Sequence, residues 1–253
     1  MDASHAGSSR LRSPGRRFTA EEIADLNRRF ESAPPQEVLR WALSAFGRSA
    51  ALAWSGAEDV VVLDMMWRID PKAVRVFTLD TGRLNPETYD FIDEVRARYG
   101  IEVEVLFPDA AAVERMVREK GINLFYRSIE NRKLCCHVRK VEPLNRILST
   151  LDAWITGLRR SQAVTRGRVQ KVELDHAHGK IVKVNPLADW TTPQVFEYLA
   201  AHGVPRNRLH DQGYVSIGCA PCTRPVRPGE DERAGRWWWE KPEEKECGLH
   251  PTP

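Results

Sequence analysis

The sequence predicts an α/β fold in which helices cover both faces of a doubly wound, mostly parallel sheet. Short apolar runs recur along the chain, and most of them are followed by a segment with helical periodicity. Strands that alternate with helices at this spacing pair in parallel, because each crossover helix returns the chain to the same end of the sheet. At 253 residues the chain is long enough to bury one full core.

The predicted elements follow one another in a regular order. Two amphipathic patterns open the ordered part of the chain as helices, at 20–30 and 35–46. Apolar runs predict strands at 50–54, 74–79, 101–107, 153–156 and 181–185. Further helices are predicted at 60–69, 87–99, 110–120, 130–148 and 193–202. Thr192 is the expected N-cap of the last helix, because Pro193 suits a first helical turn.

The composition favours a cytoplasmic protein without membrane or nucleic-acid partners. No long uncharged apolar run occurs, so no membrane span is predicted. Net charge is only +3 and acids and bases are interspersed, which argues against a broad nucleic-acid-binding face.

Three regions differ in composition. Residues 1–17 are rich in Ser, Gly and Arg and are predicted to be a disordered basic tail. A mitochondrial presequence is the alternative, although the stretch lacks the apolar face of such segments. Residues 18–223 form the predicted α/β domain, and 224–253 form a C-terminal segment. Three consecutive tryptophans at 237–239 indicate that this segment docks on another surface.

Three loops at predicted strand ends have residues suited to an anion. They are Ser-Gly-Ala-Glu-Asp at 55–59, Asp-Thr-Gly at 80–82, and Gly-Leu-Arg-Arg-Ser-Gln at 157–162, with Arg166 and Arg168 shortly after. Amides and the dipole at a helix N-terminus favour phosphate, and arginines pair with it. Each loop alone is more often a cap or a turn, so the argument depends on all three meeting at one edge of the sheet.

Five cysteines fall into an adjacent pair, Cys135 and Cys136, a CxxC formed by Cys219 and Cys222, and a lone Cys247. Adjacent thiolates are awkward ligands for one tetrahedral zinc, because both sulfurs hang from neighbouring backbone units. A cubane offers each thiolate its own iron, so the four grouped cysteines favour a 4Fe-4S cluster. Structural zinc and simple burial of free thiols are alternatives. Disulfides are less favoured, because no signal peptide precedes the cysteines and their number is odd.

Taken together, these motifs resemble the assimilatory sulfonucleotide reductases over roughly residues 40–251. The resemblance is to the iron–sulfur branch that acts on adenosine 5'-phosphosulfate (APS), rather than to the branch that acts on the 3'-phosphorylated form (PAPS). It is carried, in order along the chain, by residues 55–59, 79–82, Cys135-Cys136 with Lys140, and the stretches 157–160, 218–224, 232–239 and 246–250.

The resemblance implies a fold of the adenine nucleotide alpha hydrolase-like type with a mobile C-terminal tail. Cys247 is then the catalytic residue, and Cys135, Cys136, Cys219 and Cys222 hold the 4Fe-4S cluster. The implied substrate-binding residues are Ser55, Gly56, Asp59, Leu79, Thr81, Gly82, Lys140, Gly157, Arg160, Arg166, Arg233, Arg236 and His250.

The reaction that the resemblance implies is reduction of APS to sulfite and AMP, in sulfate assimilation and cysteine biosynthesis. Cys247 would form an S-sulfonate, and thioredoxin or glutaredoxin would release sulfite by thiol exchange. The cluster then has a structural or electrostatic role, and Lys140 would couple its charge to the substrate. The oligomeric state stays open. Asp80 would repel the additional phosphate of PAPS, so a preference for APS is expected.

The first motif departs from that of the ATP-cleaving relatives of this family. Those relatives carry Ser-Gly-Gly-x-Asp-Ser, whereas this chain has Ala57 and Val60 in place of the second Gly and the second Ser. The change argues against ATP cleavage. The alternatives are a PAPS-accepting reductase, a tRNA sulfur transferase of the same superfamily, and a zinc-stabilised binding module in which Cys247 is incidental.

Overall fold

A computed structural model describes residues 17–163, 166–241, 245 and 248–249. The predicted basic tail therefore lies outside the described residues, apart from Arg17. The helices are α1 (Ala20–Phe30), α2 (Pro35–Phe46), α3 (Val60–Ile69), α4 (Pro86–Tyr99), α5 (Ala110–Lys120), α6 (Ile129–Cys136), α7 (Glu142–Leu148) and α8 (Thr192–Ala201). The strands are β1 (Ala50–Ala53), β2 (Val76–Leu79), β3 (Val103–Leu106), β4 (Ala153–Ile155), β5 (Val172–Asp175) and β6 (Ile181–Val184).

The six strands form one sheet in the order β3-β2-β1-β4-β6-β5. The pairs from β3 through β6 are parallel, and only β5 runs antiparallel, against β6. The prediction of a doubly wound, mostly parallel sheet is confirmed. Strand β5 was missed, because its four residues include Glu173 and Asp175 and offer no apolar run. Pairing with β6 after a short turn makes this segment a strand.

The sheet divides the apolar core into two layers. One layer joins β1 residues Ala50 and Leu52 to α1, α2, α3, α4 and α8. The opposite layer joins Ala51, Phe77 and Trp154 to the apolar side of α7. Alternate residues of one strand thus face different helices, which is the expected pattern for a sheet covered on both faces. No helix among those described is long and apolar enough to cross a membrane.

The predicted helix at 130–148 is interrupted directly after the cysteine pair. A π turn at His137–Val141 separates α6 from α7, and the Glu142 amide donates to the His137 carbonyl five residues earlier. One inserted residue rotates the side chains that follow it, and such turns are frequent at functional sites. Periodicity over the whole stretch did not indicate this break.

The N-cap of α8 is Thr191, not Thr192. The Thr191 side chain accepts a hydrogen bond from the Gln194 amide, and the Gln194 side chain accepts one from the Thr191 amide. This reciprocal arrangement satisfies two groups at the helix start, so the helix begins one residue earlier than Pro193 suggested. The hydroxyl of Thr192 is thereby left to bond elsewhere.

Candidate functional site

The loop after β1 folds around the side chain of Asp59. Its carboxylate accepts hydrogen bonds from the Ser55 amide at 2.7 Å, the Ser55 hydroxyl at 3.0 Å and the Ala57 amide at 3.3 Å. Burial, together with the nearby charge of Glu58, raises the pKa of Asp59 to about 7. This loop therefore carries a carboxyl group that is mostly uncharged below neutral pH.

Two glycines allow the loops at the strand ends to approach one another. At Gly157, after β4, a Cβ atom would lie 2.5 Å from the Cβ of Asp59. Gly56 has a φ of +75°, and a Cβ there would lie 2.7 Å from the Cγ2 of Thr88. A larger residue at position 157 would clash with Asp59, so the loops after β1 and β4 can meet here only with glycine. A larger residue at position 56 would clash with Thr88 in the first turn of α4.

A cavity of about 190 Å³ lies at the carboxyl ends of β1, β2 and β4, where ligands bind in doubly wound sheets. We call it the substrate cavity. Its lining includes most of the residues that sequence analysis assigned to the substrate: Ser55, Asp59, Leu79, Thr81, Lys140, Gly157, Arg166, Arg233 and Arg236. Lys140 and the three arginines come from three different parts of the chain. Their convergence suits a ligand with several negative charges.

Some residues of the predicted set do not line the substrate cavity. Gly56 and Gly82 lie in the loops after β1 and β2, both with positive φ, and are not among the lining residues. Arg160 points elsewhere, donating to the Val169 carbonyl at 2.7 Å and pairing with Glu31 at 3.2 Å. His250 lies outside the described residues, as does Cys247.

Asp80 is also absent from the lining of the substrate cavity. Its Oδ1 atom accepts hydrogen bonds from the Gly82 amide at 2.7 Å and from the Tyr89 hydroxyl at 2.9 Å. The carboxylate thus stabilises the loop to which it belongs and does not face the cavity. The structure therefore gives no direct support to the expected repulsion of PAPS by Asp80.

The structure adds residues that the motifs did not single out. The substrate cavity is also lined by Trp54, Gln162, Trp154 and Ile217, none of which sequence analysis assigned to the substrate. Two of them, Trp54 and Gln162, adjoin or belong to the quoted loops, so proximity in sequence could have indicated them. Trp154 could not be found this way, because its contact depends on how β4 packs against its neighbours.

All four grouped cysteines line one smaller cavity, which we call the cysteine cavity. Its volume is about 20 Å³, and the four thiols are free. The cations of its lining are Arg83, Arg132, Arg139 and Lys140, and the remaining lining residues are Phe125, Pro221 and Trp237. Lys140, Cys219 and Trp237 line both cavities, so the two share a wall.

The thiols of the cysteine cavity have unequal surroundings. Burial by itself would raise the pKa of Cys219. The net shift of this pKa is nevertheless downward, because the charge of Lys140, a hydrogen bond with Thr81 and the charges of two arginines outweigh burial. The Thr81 hydroxyl oxygen lies 3.2 Å from the Cys219 sulfur. Burial raises the pKa of Cys222 to about 12 and also raises that of Cys135. Positive charge thus favours a thiolate most strongly on the side facing the substrate cavity.

The donor set of the cysteine cavity fits an iron–sulfur cluster in its chemistry. Two pairs of thiols from separate segments meet at one cavity, and the surrounding cations would offset the negative charge of thiolate ligands. Within the described part of the chain, no group of three or more His, Cys, Asp or Glu side chains is arranged to hold a single metal ion.

The C-terminal segment docks on the wall of the cysteine cavity, as its tryptophans suggested. Trp237 is 1% exposed, and its amide donates to the Cys222 carbonyl at 3.1 Å. Its ring lies 4.7 Å from the guanidinium carbons of both Arg132 and Arg236. Arg132 also forms a buried ion pair with Glu240, at 2.6 Å. Aromatic stacking and charge therefore fix residues 236–240 beside the cysteines.

The described residues on either side of Cys247 contact the substrate cavity or its rim. The Arg233 guanidinium donates to the Lys245 carbonyl at 2.8 Å. Leu249 lines the cavity and packs against the apolar layer that contains Trp154. Cys247 is two residues along the chain from both Lys245 and Leu249.

Known proteins resemble this chain over most of its length. Residues 49–225 match the phosphoadenosine phosphosulfate reductase domain family. Adenosine 5'-phosphosulfate reductase of Burkholderia cepacia is 59% identical over 179 residues, covering 71% of each chain. The enzyme of that name from Pseudomonas aeruginosa is 49% identical, covering 85% of this chain and 82% of the relative. A chloroplastic 5'-adenylylsulfate reductase of Arabidopsis thaliana is 48% identical over 91% of this chain, which spans about half (51%) of that relative.

Solved structures agree with these sequence matches. Phosphoadenylyl-sulfate (PAPS) reductase from Candida auris, in complex with phosphate, aligns with a TM-score of 0.71 at 31% identity. The alignment covers 84% of this chain and all of that one. FMN adenylyltransferase of Candida glabrata aligns with a TM-score of 0.54 at only 14% identity, over 93% of this chain and 81% of that one. That second likeness shows a shared fold alone.

Proposed function

Because the chain belongs to the phosphoadenosine phosphosulfate reductase domain family, we propose that it reduces APS to sulfite and AMP. The observation that carries this proposal is the shared wall between the two cavities. A cavity with Lys140 and three arginines at the strand ends suits a phosphosulfate, and four cysteines line a second cavity directly behind it. The names of the similar bacterial relatives support APS as the substrate.

In the proposed first step, the Cys247 thiolate attacks the sulfate sulfur of APS. A sulfur–sulfur bond forms, the bond from that sulfur to the phosphate oxygen breaks, and AMP leaves. Arg166, Arg233, Arg236 and Lys140 line the cavity and would stabilise the charge that develops on the departing phosphate. The product on the enzyme is an S-sulfonate of Cys247.

In the proposed second step, one thiol of a reduced dithiol carrier, such as thioredoxin, attacks the Cys247 sulfur. Sulfite leaves with the electron pair of the broken sulfur–sulfur bond, and a mixed disulfide forms. The second carrier thiol then displaces Cys247 as a thiolate. The carrier supplies both electrons, so the reaction does not require a redox change at the cysteine cavity.

We propose that Cys135, Cys136, Cys219 and Cys222 hold a 4Fe-4S cluster. Bound there, the cluster supplies structural support and negative charge beside the substrate. Lys140 lines both cavities and would balance that charge against the charge of the bound nucleotide. Arg83, Arg132 and Arg139 line only the cysteine cavity and would offset the thiolate charges.

The test is an assay of sulfite release from APS and from PAPS, with reduced thioredoxin as donor and with the protein purified anaerobically. We expect sulfite and AMP in equal amounts from APS, and an enzyme-bound sulfonate by mass spectrometry when thioredoxin is omitted. Iron and acid-labile sulfide are measured on the same sample. Failure to form sulfite and the sulfonate from APS would refute the proposed reaction, and sulfite from PAPS alone would refute the choice of APS as substrate.

A further inference from the structure

The inference concerns Arg159, a residue of the predicted anion loop 157–162 that sequence analysis did not include among the substrate-binding residues. Its side chain is 2% exposed and lies outside the lining of the substrate cavity. One guanidinium nitrogen donates both to Glu58 Oε1 at 3.2 Å and to the hydroxyl of Thr192 at 3.0 Å. A single buried arginine thus connects the loop after β1, the loop after β4 and the start of α8.

The connection continues from Thr192 to the C-terminal segment. The Thr192 hydroxyl accepts from Arg159 and donates to Glu232 Oε2 at 2.9 Å. Glu232 directly precedes Arg233, which lines the substrate cavity. The hydroxyl is available for this bond because Thr191, not Thr192, caps the helix.

A second branch leads from Arg159 to Arg166. The side-chain oxygen of Gln162 accepts from the Arg166 guanidinium at 2.7 Å and also from the backbone N–H of Arg159 at 3.1 Å, a bond that lysine at position 159 would keep. The Gln162 side-chain nitrogen is 3.5 Å from Glu58 Oε1, the same atom that accepts from the Arg159 guanidinium. The side-chain path therefore runs from Arg159 through Glu58 and Gln162 to Arg166. Both branches therefore end at arginines of the substrate cavity.

Burial of the Arg159 charge is costly for the fold. Its Nε and NH1 atoms are buried without a hydrogen-bond partner among the described residues. An apolar side chain could fill comparable space without the desolvation cost of a guanidinium. The neighbouring Arg160 avoids this cost, because it pairs with Glu31 near the surface. Arg159 is therefore better explained by the groups that it aligns than by packing.

We propose that Arg159 is a positioning residue for anion binding. Through Glu58 and Gln162 its side chain orients Arg166, and through Thr192 and Glu232 it fixes the segment that carries Arg233, so that both arginines face one ligand. This inference rests on the proposed function only in taking the ligand to be the 5'-phosphate end of an adenine nucleotide.

The test is a double-mutant cycle on AMP binding, measured by calorimetry with the full-length protein. We expect Arg159→Lys and Arg166→Ala each to raise the Kd for AMP about tenfold, and the double variant to raise it by little more than either alone. The reason is that in Arg159→Lys the Arg166 side chain is no longer aligned and has already lost most of its contact with the nucleotide phosphate, so removing it costs little more. The matched control is Arg75→Lys, which alters a pair with Glu104 at 2.6 Å, on β2 and β3 and outside the cavity lining. In the double variant, the fold-changes in the Kd for AMP caused by Arg75→Lys and by Arg166→Ala should simply multiply.

Multiplicative effects of Arg159→Lys and Arg166→Ala, within about twofold, would overturn the inference. If Arg159→Lys does not fold, Thr192→Val with Arg233→Ala provides the same cycle along the branch through Thr192 and Glu232, with the same criterion. Absence of AMP and APS binding to the unmodified protein would instead refute the proposed function, so the two failures are distinguishable.

Discussion

The substrate cavity and the cysteine cavity share Lys140, Cys219 and Trp237 but are built from different parts of the chain. Loops at the ends of parallel strands, with glycines at their contacts, form most of the first. A helix broken by a π turn, a CxxC stretch and a docked tryptophan form the second. The volume of the first is about 190 Å³, and that of the second is about 20 Å³.

The difference shows how one set of cations can serve two sites. Lys140 and Arg236 lower the pKa of Cys219 at the shared wall, whereas burial dominates at Cys222 and raises its pKa to about 12. A positive charge between two cavities stabilises an anion in either one. When both cavities hold an anion, each anion reduces the attraction between that positive charge and the other anion. A change of charge in one cavity should therefore alter anion binding in the other through the residues of the shared wall.

The largest expected effect is loss of catalysis with both cavities left intact. Cys247→Ser should abolish sulfite release, because a hydroxyl cannot provide the thiolate nucleophile at neutral pH. Iron content and AMP affinity should match those of the unmodified protein. The measurement is sulfite release together with intact-protein mass after incubation with APS. A mass increase of one sulfonate on this variant would contradict the assignment of Cys247.

The next largest effect is expected from substitutions in the cysteine cavity. Serine in place of any one of Cys135, Cys136, Cys219 or Cys222 should cause loss or destabilisation of bound iron and its visible absorbance, because all four sulfurs are needed to close the cubane. Thermal stability should fall as well, because Trp237 and Glu240 dock against this region. Cys247→Ser is the matched control for loss of a thiol. Full iron content and absorbance in one of these variants would show that the substituted cysteine is not a ligand.

A smaller effect tests the shared wall. Lys140→Ala should lower kcat/KM for APS by about tenfold, equivalent to about 1.4 kcal/mol of transition-state stabilisation. The unmodified enzyme should prefer APS over PAPS by at least about a hundredfold in kcat/KM, or roughly 3 kcal/mol, because the Lys and Arg residues of the cavity lining are all assigned to the phosphosulfate end of the nucleotide. The variant should keep the direction of that preference, because Lys140 lies at the wall toward the cysteines. Equal kcat/KM values for the two nucleotides in the unmodified enzyme would show that the assignment of the pocket is wrong.

The smallest effect concerns the loop after β1. The pKa of Asp59 is raised to about 7 in the folded protein from an ordinary value of 3.8. The folded state then holds a proton that the unfolded chain releases, so this group makes stability fall as pH rises from about 4 to about 7. Asp59→Asn cannot ionise and should show a weaker decline of Tm over this range. The measurement is Tm against pH for both proteins, and parallel curves would contradict the raised pKa.

Sequence alone determined the fold class and the grouping of the cysteines. Strand and helix periods are local, so α1, α2, α3 and α5 have the predicted bounds. The loops with Ser55, Thr81 and Gly157 were found because each directly follows an apolar run, and parallel strands bring such loops to one edge. The motif order also indicated the family, which the matches over residues 49–225 confirmed.

Only the tertiary structure decided which arginines line the substrate cavity and which hold the loops in place. Arg159 and Arg160 are adjacent in sequence, yet the first joins Glu58 in the interior while the second pairs with Glu31 near the surface. The π turn after Cys136 and strand β5 also depended on packing and pairing rather than on local pattern. The physical reason is that residue type fixes what a side chain can bond, whereas its partners are brought within reach only when distant segments fold together.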